Sequence, residues 1–305
     1  MTIRLTLAPQ GHRVLRKSAV DQALAGYLFI FPAIVALSVF LIGPIFYAFY
    51  ISFQQFSFLD PQSAKFIGLG NYIRLFHDPV FLRALGNTSL YSLGVVPVQS
   101  AIALLLAIVV NQVRGKTFFR VAYYLPTVTS TVAVSVMFIF LFQPHGLLNQ
   151  FLALFGIQGP NYFNSPTFAL PAIMAMAVWS TVGQFMIIYL AGLQDIPDEL
   201  YEAAAIDGAS GWKVTRYITI PMLRRTTFLV IVMSLIGTFQ VFDQAYVVSD
   251  GSGGPLNSTL TVILDLFNKG FKDMQMGYAS AMAFVLFAII LILTLIQQFV
   301  LGRED

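Results

Sequence analysis

Cysteine is absent from the 305 residues, and disulfides, thiol nucleophiles and cysteine metal sites are excluded with it. Charge is also scarce: Asp, Glu, Lys and Arg together make up 10% of the chain, against about 25% in an ordinary soluble domain. A soluble surface cannot be built from that. The 3 histidines, His12, His77 and His145, are far apart in sequence and form no ligand-spaced cluster, so no metal site is read from them. The net charge is only +3, carried by scattered Lys and Arg, which argues against a nucleic-acid surface. No G-x-x-x-x-G-K-[ST] loop occurs, and Gly251, Gly253 and Gly254 run into Pro255 instead. The chain is therefore expected neither to bind nor to hydrolyse ATP by itself.

Apolar residues are plentiful, at 57% of the chain. They fall in runs of about 20 residues, each the length needed to cross a bilayer core about 30 Å thick. The runs predict an all-α, polytopic membrane protein with six spans, at residues 25–49, 87–110, 121–142, 169–193, 226–246 and 278–300. Pro32 and Pro44 should bend or loosen the first by removing backbone donors. Residues 1–24 are too polar and basic for a cleavable signal and read as a cytoplasmic N-terminal segment ahead of a six-span membrane domain at 25–305. With the N-terminus inside, Arg4, Arg13, Arg16, Lys17, Arg114, Lys116, Arg120, Lys213, Arg216, Arg224, Arg225 and Arg303 are cytoplasmic, twelve of the 17 basic residues. That asymmetry places both termini in the cytoplasm. Two shorter apolar stretches, 147–155 and 260–271, read as amphipathic segments at the outer surface that serve as packing lids or touch an external partner.

Within the spans, Trp179, Phe239, Gln240, Gln99, Thr129, Ser130, Gln184 and Tyr246 are candidate solute contacts. Amides and hydroxyls can exchange hydrogen bonds with a polar solute, and aromatic faces can pack on C–H surfaces. Counting 1.5 Å per residue, Trp179 and Gln240 lie at compatible depths and can face one central cavity. The same residue types also tie membrane helices to each other, so both roles stay open. Asp243 is expected to form a structural or gating pair with a basic group.

Residues 194–225 carry Asp195, Asp198, Glu199, Glu202, Asp207, Lys213, Arg216, Arg224 and Arg225, too much charge to lie in hydrocarbon. The segment must be a cytoplasmic excursion. Pro197 suits a first helical turn with Asp198 and Glu199 at its positive end. A helix over 201–206 should turn at Gly208, and a second over 212–218 should be halted by Pro221. The small side chains of Ala203, Ala204, Ala205, Gly208 and Ala209 permit close approach by another surface, while Glu202 and Asp207 offer charged anchors. A docking hairpin and a merely solvated re-entry loop both satisfy this pattern.

Glu202-Ala203-Ala204, then Asp207-Gly208-Ala209, then Ile218, Ile220 and Pro221 stand here in order. This series resembles the signature of inner-membrane permease subunits of binding-protein-dependent ABC importers, with Ile220 in place of the usual leucine and Arg224-Arg225 where a further proline is common. FIGLGNY at 66–72, Tyr124-Leu125-Pro126, GGP at 253–255 and GYASA at 277–281 extend the resemblance to the maltose and glycerol-phosphate permeases. It implies a bacterial or archaeal cytoplasmic membrane and a permease that forms half of a path for a sugar, with glycerol-phosphate or another polyol as the alternative. The implied partners are a second, different permease, two ATPase subunits using ATP and Mg2+, an extracytoplasmic solute-binding protein and membrane lipids. Glu202, Ala203, Ala204, Asp207, Gly208, Ala209 and Pro221 would then couple the path to an ATPase. A self-contained secondary transporter would instead show internal repeats with broken helices at matching positions, and a channel would work without an ATPase.

Overall fold

A computed structural model describes residues 19–301. Most of the expected N-terminal segment, with Arg4, His12, Arg13, Arg16 and Lys17, lies outside the described residues, as does Arg303. The chain divides into two units, Met1–Tyr50 and Ile51–Asp305.

The first unit holds α1 (Ala19–Leu37), a π turn at Ser38–Ile42 and most of α2 (Gly43–Ser52). Pro32 lies inside α1. Pro44 cannot donate to the carbonyl four residues back, and the widened π turn directly before α2 relaxes the register there. Large apolar side chains from Leu24 to Tyr50 are exposed along these helices, as suits a surface meant for lipid or another apolar partner.

The second unit begins with two short antiparallel strands, β1 (Gln54–Gln55) and β2 (Lys65–Phe66), in which Gln54 faces Phe66. They had no signal in the apolar pattern. After α3 (Gly70–His77) comes α4 (Pro79–Gln112), which starts well before the expected position 87. Asp78 explains the early start: its carboxylate accepts the Val80 N–H at 2.9 Å, with Pro79 in the first turn, where its missing donor costs nothing.

The expected span at 121–142 is made of two helices, α5 (Lys116–Val128) and α6 (Thr131–Leu141), bent by 94°. Pro126 withholds a donor near the end of α5, and Thr129 and Ser130 are extended. Next come α7 (Leu147–Ala153) and α8 (Ala169–Gln194). The hairpin follows as α9 (Asp198–Ile206), α10 (Trp212–Val214), a π turn at Thr215–Thr219 and α11 (Ile220–Met222). Pro221 does not halt the second arm at 218; it sits in the first turn of α11, and the helical run ends at Leu223. The expected fifth span is also interrupted: α12 (Arg224–Phe239) stops, residues 240–242 are irregular, and α13 (Asp243–Ser249) resumes. Finally come α14 (Val262–Phe267), a π turn at Asn268–Lys272 and α15 (Met276–Leu301). Among the described residues five helices are long and apolar enough to cross a membrane, or six with α5 and α6 taken as one broken span.

The α4 helix packs on α8 and α12, and α8 packs on α5. Glycines set the closest approaches. A Cβ at Gly183 of α8 would collide with the Tyr123 carbonyl of α5, and one at Gly192 with Thr226 of α12. The stretch 260–271, expected as a packing lid or a partner contact, packs inward along one side. Val262, Leu264 and Asp265 are buried as α14 packs on α4 and α15. Asn87 of α4 fastens the preceding loop by donating to the carbonyls of Asn257 at 2.7 Å and Leu260 at 2.9 Å. Two carbonyls of that loop are thereby satisfied, and the segment covers α4 and α15 as a lid.

Candidate functional site

A cavity of about 300 Å³ opens between α4, α8, α12 and α13, with Thr131 of α6 on its rim. Its polar wall is mostly amide and hydroxyl, with the Asp243 carboxylate beside them. Thr181, midway along α8, places its hydroxyl 2.7 Å from Gln99 Oε1, and Gln99 donates from Nε2 to Ser234 Oγ of α12. Ser92 and Thr238 are joined at 2.8 Å between α4 and α12. Gln99 is thus a buried tie among three helices as well as a wall residue. Gln184, Gln240 and Asp243 also line the cavity, and their side chains make no hydrogen bond among the described residues. Irregular backbone at membrane depth is tolerated where it borders such a cavity, and the break at 240–242 does so.

The other candidates are placed elsewhere. Trp179 packs its ring 5.5 Å from that of Phe138 and lines a separate apolar groove with Val98, Ile102 and Phe119, so Trp179 and Gln240 do not share one cavity. Thr129 and Ser130 occupy the α5–α6 bend, where the Thr129 hydroxyl donates to the Leu125 carbonyl at 3.0 Å. Phe239 is buried in the core beside Leu260 and Met282. Tyr246 packs against Phe242 and Phe267, with the Lys272 ammonium 5.6 Å from its ring centre. Asp243 has no basic partner among the described residues; its carboxylate stands in the first turn of α13, where the helix dipole favours negative charge. Tyr91, Thr181, Ser234, Thr238 and Gln244 are wall residues that the sequence reading missed. Ser234 and Thr238, one turn apart in an apolar helix, were the available signal.

The hairpin lies beyond the ends of α8 and α12 that join it. Asp198 and Glu199 occupy the first turn of α9, complementing its dipole. The turn at its end satisfies two carbonyls in a Schellman motif: Gly208 N–H reaches the Ala205 carbonyl at 3.1 Å and Ala209 N–H the Ala204 carbonyl at 2.8 Å. Gly208 takes φ +75° to close it. Ala204 is buried against the bundle, whereas Glu202, Ala203, Asp207, Gly208 and Pro221 are exposed and Ala209 is half-buried. Ile206, Trp212 and Tyr217 are also exposed, at 88%, 67% and 77%. Tyr201 and Thr219 link the two arms through their hydroxyls at 3.3 Å. Such a brace, with large apolar groups turned to solvent, suits docking better than mere connection.

Residues 99–303 match the model of the binding-protein-dependent transport system inner membrane component family. The chain belongs to this family. The permease is 38% identical over 284 residues to the lactose transport system permease protein LacF of Rhizobium radiobacter, covering 92% of this chain and 94% of that one. It is 36% identical over 277 residues to the arabinooligosaccharides transport system permease protein AraP of Bacillus subtilis (strain 168), covering 90% and 87%. Its fold matches a chain in the crystal structure of a bacterial alginate ABC transporter in complex with alginate pentasaccharide-bound periplasmic protein, with a TM-score of 0.79, 22% identity and coverage of 92% and 94%. It is a multi-pass permease subunit of an ABC importer, contributing to a translocation path and coupled to separate ATPase subunits.

Proposed function

We propose that the permease forms one half of the path for a di- or oligosaccharide. The other half would be a different permease chain, with two ATPase subunits holding ATP and Mg2+ beneath and an extracytoplasmic binding protein delivering the solute. Both termini would be cytoplasmic. The hairpin carries this reading. It presents Glu202, Asp207 and a small-residue turn together with exposed Ile206, Trp212 and Tyr217. Its second arm passes directly into α12 at Leu223, which is fully buried. A push on the hairpin would then travel along the 16 residues of α12, about 24 Å of helix, to the break at 240–242 in the cavity wall. Residues 202–204, 207–209 and Pro221 are assigned to ATPase coupling on this basis.

Gln99, Gln184 and Gln240 are the wall groups best suited to solute hydroxyls, and no Lys, Arg or His lines the cavity. The names of lactose and arabinooligosaccharide permeases among the relatives support a sugar. A glycerol-phosphate or other polyol is the second reading, and the absence of a cationic wall residue weighs against its phosphate form. Mass identification of proteins copurifying with the chain in mild detergent tests the assembly. Recovery of a second permease, an ABC ATPase and a binding protein, which can then be screened against saccharides, is the expected result. Recovery of the chain alone, under conditions that preserve a known membrane complex, would contradict it.

A further inference from the structure

The α3 helix has two unlike faces that its place in the fold does not by itself explain. Asn71 and Leu75 are buried on one side. Asn71 donates to the carbonyls of Ser52 and Gln54, both at 2.8 Å, which pins the helix against the β1 segment. On the opposite side Leu69, Ile73 and Phe76, spaced as i, i+4 and i+7, form an apolar stripe exposed at 60%, 61% and 58%. Such spacing places all three on one face of a helix, and the stripe continues onto β2 through Phe66, which is 73% exposed. A core helix needs one apolar face, and α3 already has it in Leu75.

Its position in the chain limits what can cover the second face. The membrane-length helix Leu24–Ser52 ends shortly before it, and Pro79–Gln112 begins after a single residue, Asp78. The α3 helix also packs on α15, where Arg74 lies over the Tyr278 ring, so the stripe is held level with the start of that membrane-length helix. With α5 and α6 taken as one broken span, counting crossings puts it on the opposite side of the membrane from the coupling hairpin. Charge adds a second constraint. Lys65, Arg74 and Arg83 flank the stripe, and the one acidic residue among 65–83, Asp78, already accepts from Tyr278 at 2.8 Å and from Val80. Arg74, in the last turn of α3, sits over the Tyr278 ring at 4.3 Å and bonds Gln275 at 3.0 Å, so its charge is fixed at the helix flank. An apolar stripe with basic residues at its border is the pattern of a helix lying in a lipid interface.

We propose that α3 is an interfacial anchor: Leu69, Ile73 and Phe76 enter the acyl boundary of the leaflet opposite the coupling hairpin, and Lys65, Arg74 and Arg83 lie level with the phosphates of anionic phospholipids. This goes beyond solute transport. It fixes the depth of the loop that joins the first two spans, and through Arg74 and Tyr278 the depth of the start of α15.

The absence of native cysteine makes the test direct. Single Leu69→Cys, Ile73→Cys and Phe76→Cys variants of the full chain carry a nitroxide label and are reconstituted, with the subunits that copurify, into phosphatidylcholine bilayers with and without phosphatidylglycerol. Gln62→Cys, in the exposed loop between the strands, is the aqueous reference. The expected result is that all three stripe labels collide severalfold more with oxygen than with a water-soluble nickel chelate, that position 62 shows the reverse, and that the stripe labels move deeper when phosphatidylglycerol is present. Three separate exposed positions keep the test intact if one variant fails to assemble. Nickel collisions exceeding oxygen at the stripe would place it in water and overturn the proposal. Shielding from both reagents would mean that a protein covers it, which also overturns the proposal. No response to phosphatidylglycerol would overturn the anionic-lipid assignment.

Discussion

Single atoms decide several contacts in this protein. Gly183 lets α8 touch the backbone of α5 at Tyr123, and a carbonyl cannot rotate away as a flexible side chain can. Gly183→Ala is expected to destabilise the protein by about 1–3 kcal/mol, the usual range for overpacking. Gly86→Ala, where a Cβ meets nothing within 4 Å, should not, and thermal unfolding of the two in detergent checks the contrast. Asp265 is a second case. Burial pushes its carboxyl up to about 6 from 3.8, Lys269 opposing and the like charges of Asp78 and Asp273 adding to the rise, and its Oδ2 has no partner. The folded state then holds the proton more tightly than the unfolded chain does. Stability from this group is full below about pH 4, falls as pH rises towards 6, and is flat above. Asp78 acts below that window: burial would raise it, but bonds from Tyr278 and the Val80 and Phe81 amides outweigh burial and hold it under 3.8. Melting temperature should therefore fall from pH 4 to pH 6.5 and much less so in Asp265→Asn. An unchanged pH slope in that variant would refute the assignment.

Among the elements, the hairpin shows what sequence can and cannot disclose. Its first arm was legible because Pro197, Asp198, Glu199 and Gly208 each act locally, through φ restriction, dipole and turn geometry. Its second arm was not, since Pro221 can either stop a helix or start a short one, and packing of Leu223 against the bundle decides. The bend at Thr129 and Ser130 was hidden for a related reason: an apolar run has the same composition whether it is straight or turned by 94°. Trp179 and Gln240 read at compatible depths, but rise per residue gives no azimuth, and the two side chains line different cavities. Gly208→Ala is the prediction at this scale. A side chain at φ +75° costs about 1–2 kcal/mol at an exposed position where a Cβ would meet nothing within 4 Å. The expected outcome is faster proteolysis within 198–222 with the melting of the helical bundle nearly unchanged.

At the scale of the whole molecule, α12 joins an exposed hairpin to a break in a polar cavity wall, with Gly192 and Leu223 seating its base against α8. Rigid elements of this kind carry displacement without chemistry, as a subunit that works beside a separate ATPase requires. In the proposed function the hairpin is where that work enters. The most direct test is to reconstitute Glu202→Ala with its copurifying subunits in proteoliposomes, measuring solute uptake and ATP hydrolysis together. Glu202 is exposed and has no packing role, so insertion and thermal stability should equal those of the parent. Uptake per ATP hydrolysed, or the amount of ATPase retained, should fall severalfold. Parental uptake with parental ATPase retention would contradict the account.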